Sequence, residues 1–184
     1  MSSSQHPYAS QQAVKNDESN PAENPWWRSA APPRPKIRTI FVATLASVVA
    51  LTLLAAITAS TGYMLLIPPM AASMALVMGA PKLPLSQPRN VIGGQTVSAT
   101  VGVLTGMAGN SLWLGALAGG LALGAMMLTR TPHSPAAATA IIGVTTASSG
   151  LLFIGLAAVA ALLLVLVGAA ANTINSVRYP TYIW

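Results

Sequence analysis

Apolar residues fall into six runs, separated by short polar breaks or by glycine and proline. The first runs from about Ile40 to Gly62. The second covers Tyr63 to Ala80 and is interrupted by Pro68-Pro69. The third, Val91 to Ala108, and the fourth, Ser111 to Leu128, follow closely. The fifth, about Ala136 to Ser149, is short, and the sixth spans Leu151 to Ala171. A helix that crosses a bilayer needs about 20 residues, with a range of roughly 17–25. Four runs are near that length; the second and fifth are short or broken by proline. The pattern predicts an all-α membrane protein with about six membrane segments, four full spans plus two short or broken helices.

Two topologies fit six runs. If the short runs are re-entrant, the chain spans four times, and Lys82, Arg89 and Arg130 fall outside. If each short run completes a crossing, Lys82, Arg89, Arg130 and Arg178 all fall on the side of the basic cluster Arg34 to Arg38. Cytoplasmic loops carry the excess of Lys and Arg, which favours six crossings with the N-terminus cytoplasmic. The expected location is the inner cell membrane, multi-pass.

An internal repeat points the same way. Pro69-Met70-Ala71-Ala72-Ser73-Met74-Ala75-Leu76 aligns with Pro135-Ala136-Ala137-Ala138-Thr139-Ala140-Ile141-Ile142. The repeat halves are then about residues 40–108 and 111–171. Three crossings per half is odd, so the second half is inverted relative to the first. Inverted repeats with broken helices in matching positions are the mark of transporters and channels.

Upstream, residues 1–36 lack apolar periodicity and are rich in Ser, Gln, Asn, Ala and Pro, so a disordered cytoplasmic tail is expected. No short apolar region with a cleavage site is seen there, and Asp17, Glu18 and Glu23 argue against a transit peptide. Trp26 and Trp27 fit either a headgroup position or the tail. Residues 37–184 form the transmembrane domain.

Charge sharpens this picture. Only 7% of residues are charged and 53% are hydrophobic, against about 25% charged in soluble domains. The three acids all lie in the tail, so no carboxylate side chain occurs from Asn24 onward. That excludes carboxylate pairs for acid–base work, a carboxylate cage for a hard metal, and a cation path lined by acidic rings. The net charge of +6 sits at the ends of apolar runs, where it sets topology, and no nucleic-acid partner is expected. The partners expected are the lipid bilayer, a small anion and a second copy of the chain. Gly102 and Gly106, Gly115 and Gly119, and Gly120 and Gly124 offer small-residue faces for helix packing within or between subunits. No enzyme is expected, because no nucleophile, base and orienting group occur together. No cofactor or metal is expected either; the methionines are ordinary packing residues.

Candidate chemistry gathers at the short runs. Pro69 and Pro135 suit the first position of a helix, with Ser73 and Thr139 one turn inside. Helices starting within the membrane would aim N–H groups and the positive dipole end at whatever lies before them. The expected anion positions are therefore near Pro68–Ala72, including Ala71 and Ala72, and near His133–Ala137. Structural kinks are the competing reading. In Leu85 to Gly94, Gln87, Arg89 and Asn90 offer donors, and Gly93-Gly94 admits a close backbone. Arg89 could attract anions at a cytoplasmic mouth or cap helix-end carbonyls. His133 could hold an anion when protonated, couple transport to protons, or serve as a hydrogen-bonded loop residue. Tyr179, Tyr182 and Trp184 fit the membrane interface.

Three stretches, GAPKLPLSQPRNVIGG (Gly79 to Gly94), LTRTPHSPAAATAII (Leu128 to Ile142) and VRYPTYIW (Val177 to Trp184), resemble the HPP family of integral membrane proteins. The resemblance runs from about Pro68 to the C-terminus, and QPRNVIGG is its most specific part. Members in plant chloroplasts and cyanobacteria are associated with nitrite transport, so the resemblance implies a small-anion transporter. Two departures stand out. The family's His-Pro-Pro reads His133-Ser134-Pro135, and the residue after the paired glycines, commonly histidine, is Gln95. Both are compatible with anion binding and weaken proton coupling through those positions. The expected function is transport of a small monovalent anion, nitrite first, with a non-transporting membrane subunit as the alternative.

Overall fold

The computed structural model describes Ala31 and residues 33–183. The chain divides into two units, residues 1–35 and 36–184. The expected disordered tail, with Trp26 and Trp27, lies outside the described residues apart from Ala31 and 33–36. The described part of the second unit holds six α-helices, two single 3₁₀ turns and no strand.

The helices are α1 (Ile37–Thr61), α2 (Pro68–Gly79), α3 (Pro88–Gly106), α4 (Leu112–Leu128), α5 (Ala136–Thr145) and α6 (Gly150–Ile174). Their lengths, 25, 12, 19, 17, 10 and 25 residues, repeat a long–short–long order twice. Among the described residues, α1 and α6 are long and apolar enough to cross a membrane by length and composition.

The helix starts show what the local sequence does. Pro68, not Pro69, takes the first position of α2, where a missing N–H leaves no bond unmade. Helix α3 begins at Pro88, three residues before the apolar run, and so takes Arg89 and Asn90 into its first turn. Ser111 caps α4, its hydroxyl accepting from the Leu114 N–H at 3.2 Å. Pro135 stands just outside α5, which starts at Ala136.

Between α1 and α2 the backbone is non-helical through residues 63–67. Non-helical backbone at membrane depth must be satisfied by protein. Thr58 of α1 does this, its Oγ1 accepting from the N–H groups of Leu65 (3.0 Å) and Leu66 (3.2 Å). Leu65 and Ile67 turn inward and are buried.

Large side chains face outward and small ones inward, as a bilayer solvent allows. On α4, Gly115, Ala118, Ala122 and Met126 are buried, while Leu112, Trp113, Leu117, Leu121 and Leu128 are exposed. Helix α3 sits at the centre, packed on α4, α5 and α6. Its approach to α5 is closest at Gly102 and Gly143: a Cβ on Gly143 would lie 3.0 Å from Gly102 Cα. Helices α1, α2 and α6 share a second core around Leu54, Met70, Met74 and Leu164.

Candidate functional site

The site is built on the connection between α4 and α5. Helix α4 ends with the Thr131 N–H donating to the Met126 carbonyl (2.9 Å) and the Arg130 N–H to Met127 (3.1 Å). This is the double-bonded helix ending that usually carries glycine at its left-handed residue. Here that residue is Arg130, at φ 58°. The turn lays the chain from Thr131 to His133 across α3 at Gly93-Gly94. A Cβ on Gly94 would meet His133 Cβ at 2.6 Å and the Thr131 carbonyl at 2.9 Å, and one on Gly93 would meet Thr131 Cγ2 at 2.8 Å. The paired glycines are therefore what lets this loop lie on the helix.

His133 is 1% exposed. Its Nδ1 is 2.8 Å from the Leu85 carbonyl, which can only accept, so Nδ1 carries a proton. Its Nε2 is 2.8 Å from Ser73 Oγ on α2. Ser73 Oγ is also 2.8 Å from the Pro69 carbonyl and accepts from Gln95 Nε2 on α3 at 2.9 Å. The other end of the same amide, Oε1, accepts from Thr139 Oγ1 on α5. Ser73 and Thr139, which align in the sequence, thus bond the two ends of one glutamine. Ser73, Gln95 and Thr139 are fully buried. Ser98, one turn on from Gln95 on the same face of α3, is also fully buried, and its hydroxyl has no partner among the described residues.

His133 lies in the loop, outside α4 and α5. Burial disfavours the imidazolium and lowers its pKa to about 4, with the Leu85 hydrogen bond pulling the other way.

Beside the loop lies an open cavity of about 500 Å³ lined by Arg89, Asn90, Arg130, Pro132 and Tyr182 among others. Two guanidinium groups thus share one recess. Arg89 also extends to the Thr129 carbonyl at the end of α4, with Nη2 at 3.5 Å. A second recess of about 410 Å³ is lined by Ala72, Ala75 and Leu76 of α2 with Ser134 and Pro135. His133 stands between residues that line the one and residues that line the other.

The structure brings together Ser73, Gln95, His133 and Thr139, with the Pro69 carbonyl and the Gly93-Gly94 contact. It places Asn90 one layer away, where Nδ2 donates to the Pro84 carbonyl at 2.8 Å. Ala71, Ala72 and Ser134 are exposed and stand apart from the buried cluster. Two expectations need correction. The first N–H groups of α5 are taken: Ala136 donates to the His133 carbonyl (3.0 Å), Ala137 to Ser134 (3.3 Å) and Ala138 to Pro135 (3.2 Å). The polar groups gathered here are therefore side chains, and not free backbone N–H groups at the start of α5. Tyr179 does not face outward, as an aromatic among lipid headgroups would. It is 6% exposed and donates to the Ser86 carbonyl at 2.9 Å, and burial pushes its phenol well above its ordinary pKa.

Sequence reasoning missed Ser98. The signal was available: Val91, Gly94, Gln95, Ser98, Ala99 and Gly102 repeat at helical spacing and form the buried face of α3. Gln87, whose Oε1 accepts from the Thr181 N–H at 2.8 Å, ties the C-terminal segment to the same region.

An all-helical body with outward-facing Leu and Val and an inward-facing polar cluster defines a multi-helix membrane protein. The transmembrane region of the HPP family matches residues 32–180, and the chain belongs to that family. It is 35% identical over 167 residues to a protein of Dictyostelium discoideum described as a transmembrane protein, covering 83% of this chain and 59% of that one. A second Dictyostelium transmembrane protein is 45% identical over 82 residues, covering 42% of this chain and 26% of the relative. The chain thus spans less than two thirds of either relative. No solved structure matches it.

Proposed function

We propose that this chain carries a small monovalent anion, nitrite foremost, across the membrane. The observation behind this reading is the uncharged polar cluster of Ser73, Gln95, Thr139 and His133, buried where α2, α3 and α5 meet. Polar side chains inside a membrane bundle are costly and mark substrate paths. Sign selection comes from charge: the recess beside the cluster carries Arg89 and Arg130, and no acid side chain occurs from Asn24 onward. Hydroxyl and amide donors can replace part of an anion's water without holding it as tightly as a buried arginine would. In this reading the chain crosses the inner membrane six times, N-terminus cytoplasmic, as an inverted repeat whose halves join at Gln95.

The test is anion uptake into proteoliposomes containing only this protein, with nitrite compared against nitrate, chloride and formate. Nitrite uptake above that of empty vesicles, reduced by Arg89→Ala and Gln95→Leu, is the expected result. No uptake of any anion by folded protein would refute it. One observation favours a second reading, a non-transporting subunit. Gly120 and Gly124 have nothing within 4 Å of an added Cβ, whereas Gly102, Gly106, Gly115 and Gly119 pack within the chain. That reading expects a partner to co-purify and no flux from the chain alone.

A further inference from the structure

Two features outside the polar cluster meet at the end of α4. One is the recess of about 500 Å³ lined by Arg89, at the start of α3, and by Arg130, just past α4, together with Tyr182. The other is an open groove of about 480 Å³ between α3 and α4, lined by Leu104, Gly120, Leu121, Gly124 and Leu128 among others. Thr105 also borders the groove, but its hydroxyl donates to the Val101 carbonyl at 2.8 Å, so the lining is apolar. Gly120 and Gly124 leave the groove open: a Cβ added to either meets nothing within 4 Å. Met127 lines the recess and Leu128 the groove, so consecutive exposed residues join the two. All of these residues except Tyr182 lie within the matched transmembrane region.

The recess is built for a phosphate. Arg130 stands at φ 58°, a conformation glycine takes more readily. The turn alone therefore does not call for arginine. Two guanidinium forks suit phosphate oxygens better than point charges would. The described residues contain no acidic side chain, so no carboxylate among them would hold the cationic end of a zwitterionic headgroup. A small anion would use the charge of the recess and leave the adjoining groove idle. An amphiphile with a phosphate and an acyl chain uses both. Basic pockets between membrane helices are common seats for anionic headgroups. A second copy of the chain fits less well. Packed on this groove about a twofold axis normal to the membrane, it would set its own two arginines at the same level.

We propose that an anionic phospholipid binds here, with its phosphate at Arg89 and Arg130 and one acyl chain along Gly120 and Gly124. The lipid is a resident ligand and not a substrate, so the proposal goes beyond the transport reading and is tested without flux.

Native mass spectrometry of the full chain, released from detergent micelles, reads lipid occupancy directly. Dioleoyl phosphatidylglycerol and dioleoyl phosphatidylcholine carry the same chains and differ in headgroup charge. One phosphatidylglycerol should bind about tenfold more tightly than phosphatidylcholine. Equal affinity for the two would overturn the proposal, and this comparison needs no variant. Arg130→Gly should reduce the preference severalfold, and Gly124→Leu should lower phosphatidylglycerol occupancy severalfold. Both substitutions suit their positions, since glycine takes φ 58° freely and Gly124 faces open space. Undiminished binding in both variants would overturn the proposal. Displacement of the lipid by inorganic phosphate at equal concentration would assign the recess to a free anion and overturn the lipid site. A dimer that Gly124→Leu splits would assign the groove to a second copy, with the same consequence.

Discussion

Gly94→Ala is the sharpest probe of how the loop is held. The new Cβ would sit 2.6 Å from His133 Cβ, 2.9 Å from the Thr131 carbonyl and 3.3 Å from Met126 Sδ. Two methyl-sized carbons need about 3.5–4 Å, so the loop must withdraw from α3 by about 1 Å. The Thr131 carbonyl is backbone and cannot rotate aside. A withdrawal of that size stretches the 2.8 Å contact from His133 to Ser73 past hydrogen-bond range. Overpacking of this kind costs about 1–3 kcal/mol, and a lost buried hydrogen bond adds about 1 kcal/mol. Gly120→Ala, with nothing within 4 Å, is the matched control and should be neutral or stabilising by up to about 1 kcal/mol. Thermal unfolding in detergent, followed by circular dichroism, gives the stability comparison, and nitrite uptake gives the functional one. Gly94→Ala should lower both and Gly120→Ala neither. If the two variants behave alike, the paired glycines do not position His133, and the geometric account of the site falls.

The remaining expectations are more local. Arg130→Gly should stabilise the end of α4 by about 1 kcal/mol, because glycine takes φ 58° without strain; uptake at limiting nitrite should nonetheless fall severalfold, and unchanged uptake would make Arg130 structural. Gln95→Glu keeps the shape of the bridging side chain but adds a negative charge. It should abolish anion uptake more completely than Gln95→Leu, and equal residual uptake would argue against an anion path at this point. Tyr179→Phe leaves the Ser86 carbonyl without its donor and should cost about 0.5–1.5 kcal/mol. The Tyr179 phenol is raised above its unfolded value of 10.0, so its contribution is complete below pH 10 and lost as pH rises further. Unfolding midpoints of wild type and Tyr179→Phe should therefore converge above pH 10, and a constant difference would contradict the burial argument.

The apolar runs of the sequence mark all six helices, because in a membrane protein length and composition determine them almost directly. The α3 boundary is the instructive miss. Polar composition placed its start at Val91, yet the helix begins at Pro88, since proline at the first position needs no N–H partner and Asn90 finds a carbonyl in the preceding turn. The glycine pairs show a deeper limit. Gly102/Gly106 and Gly120/Gly124 carry the same spacing, but one pair lies against α5 and the other is open. Nothing local distinguishes them. Tyr179 likewise carries an interfacial signature and is buried because the C-terminal segment folds back onto Ser86 and Gln87.

The candidate site shows the same division. Ser73 and Thr139 were legible as a repeated pair, and His133 as a lone titratable group. Their meeting on the Gln95 amide was not, because it depends on three helices converging. That meeting gives the repeat a physical consequence. Each half contributes one hydroxyl, and a single side chain on α3 couples them. Movement of α2 relative to α5 must then break or exchange a hydrogen bond at Gln95, and a buried amide left with an empty valence costs about 1–3 kcal/mol. A cost of that size is small enough for thermal motion to meet and large enough to favour one arrangement at a time. An entering anion, accepting from Ser73, Thr139 or the open hydroxyl of Ser98, would offset it. In the proposed transport reading, the cluster would hold α2 and α5 together when empty and release them when occupied.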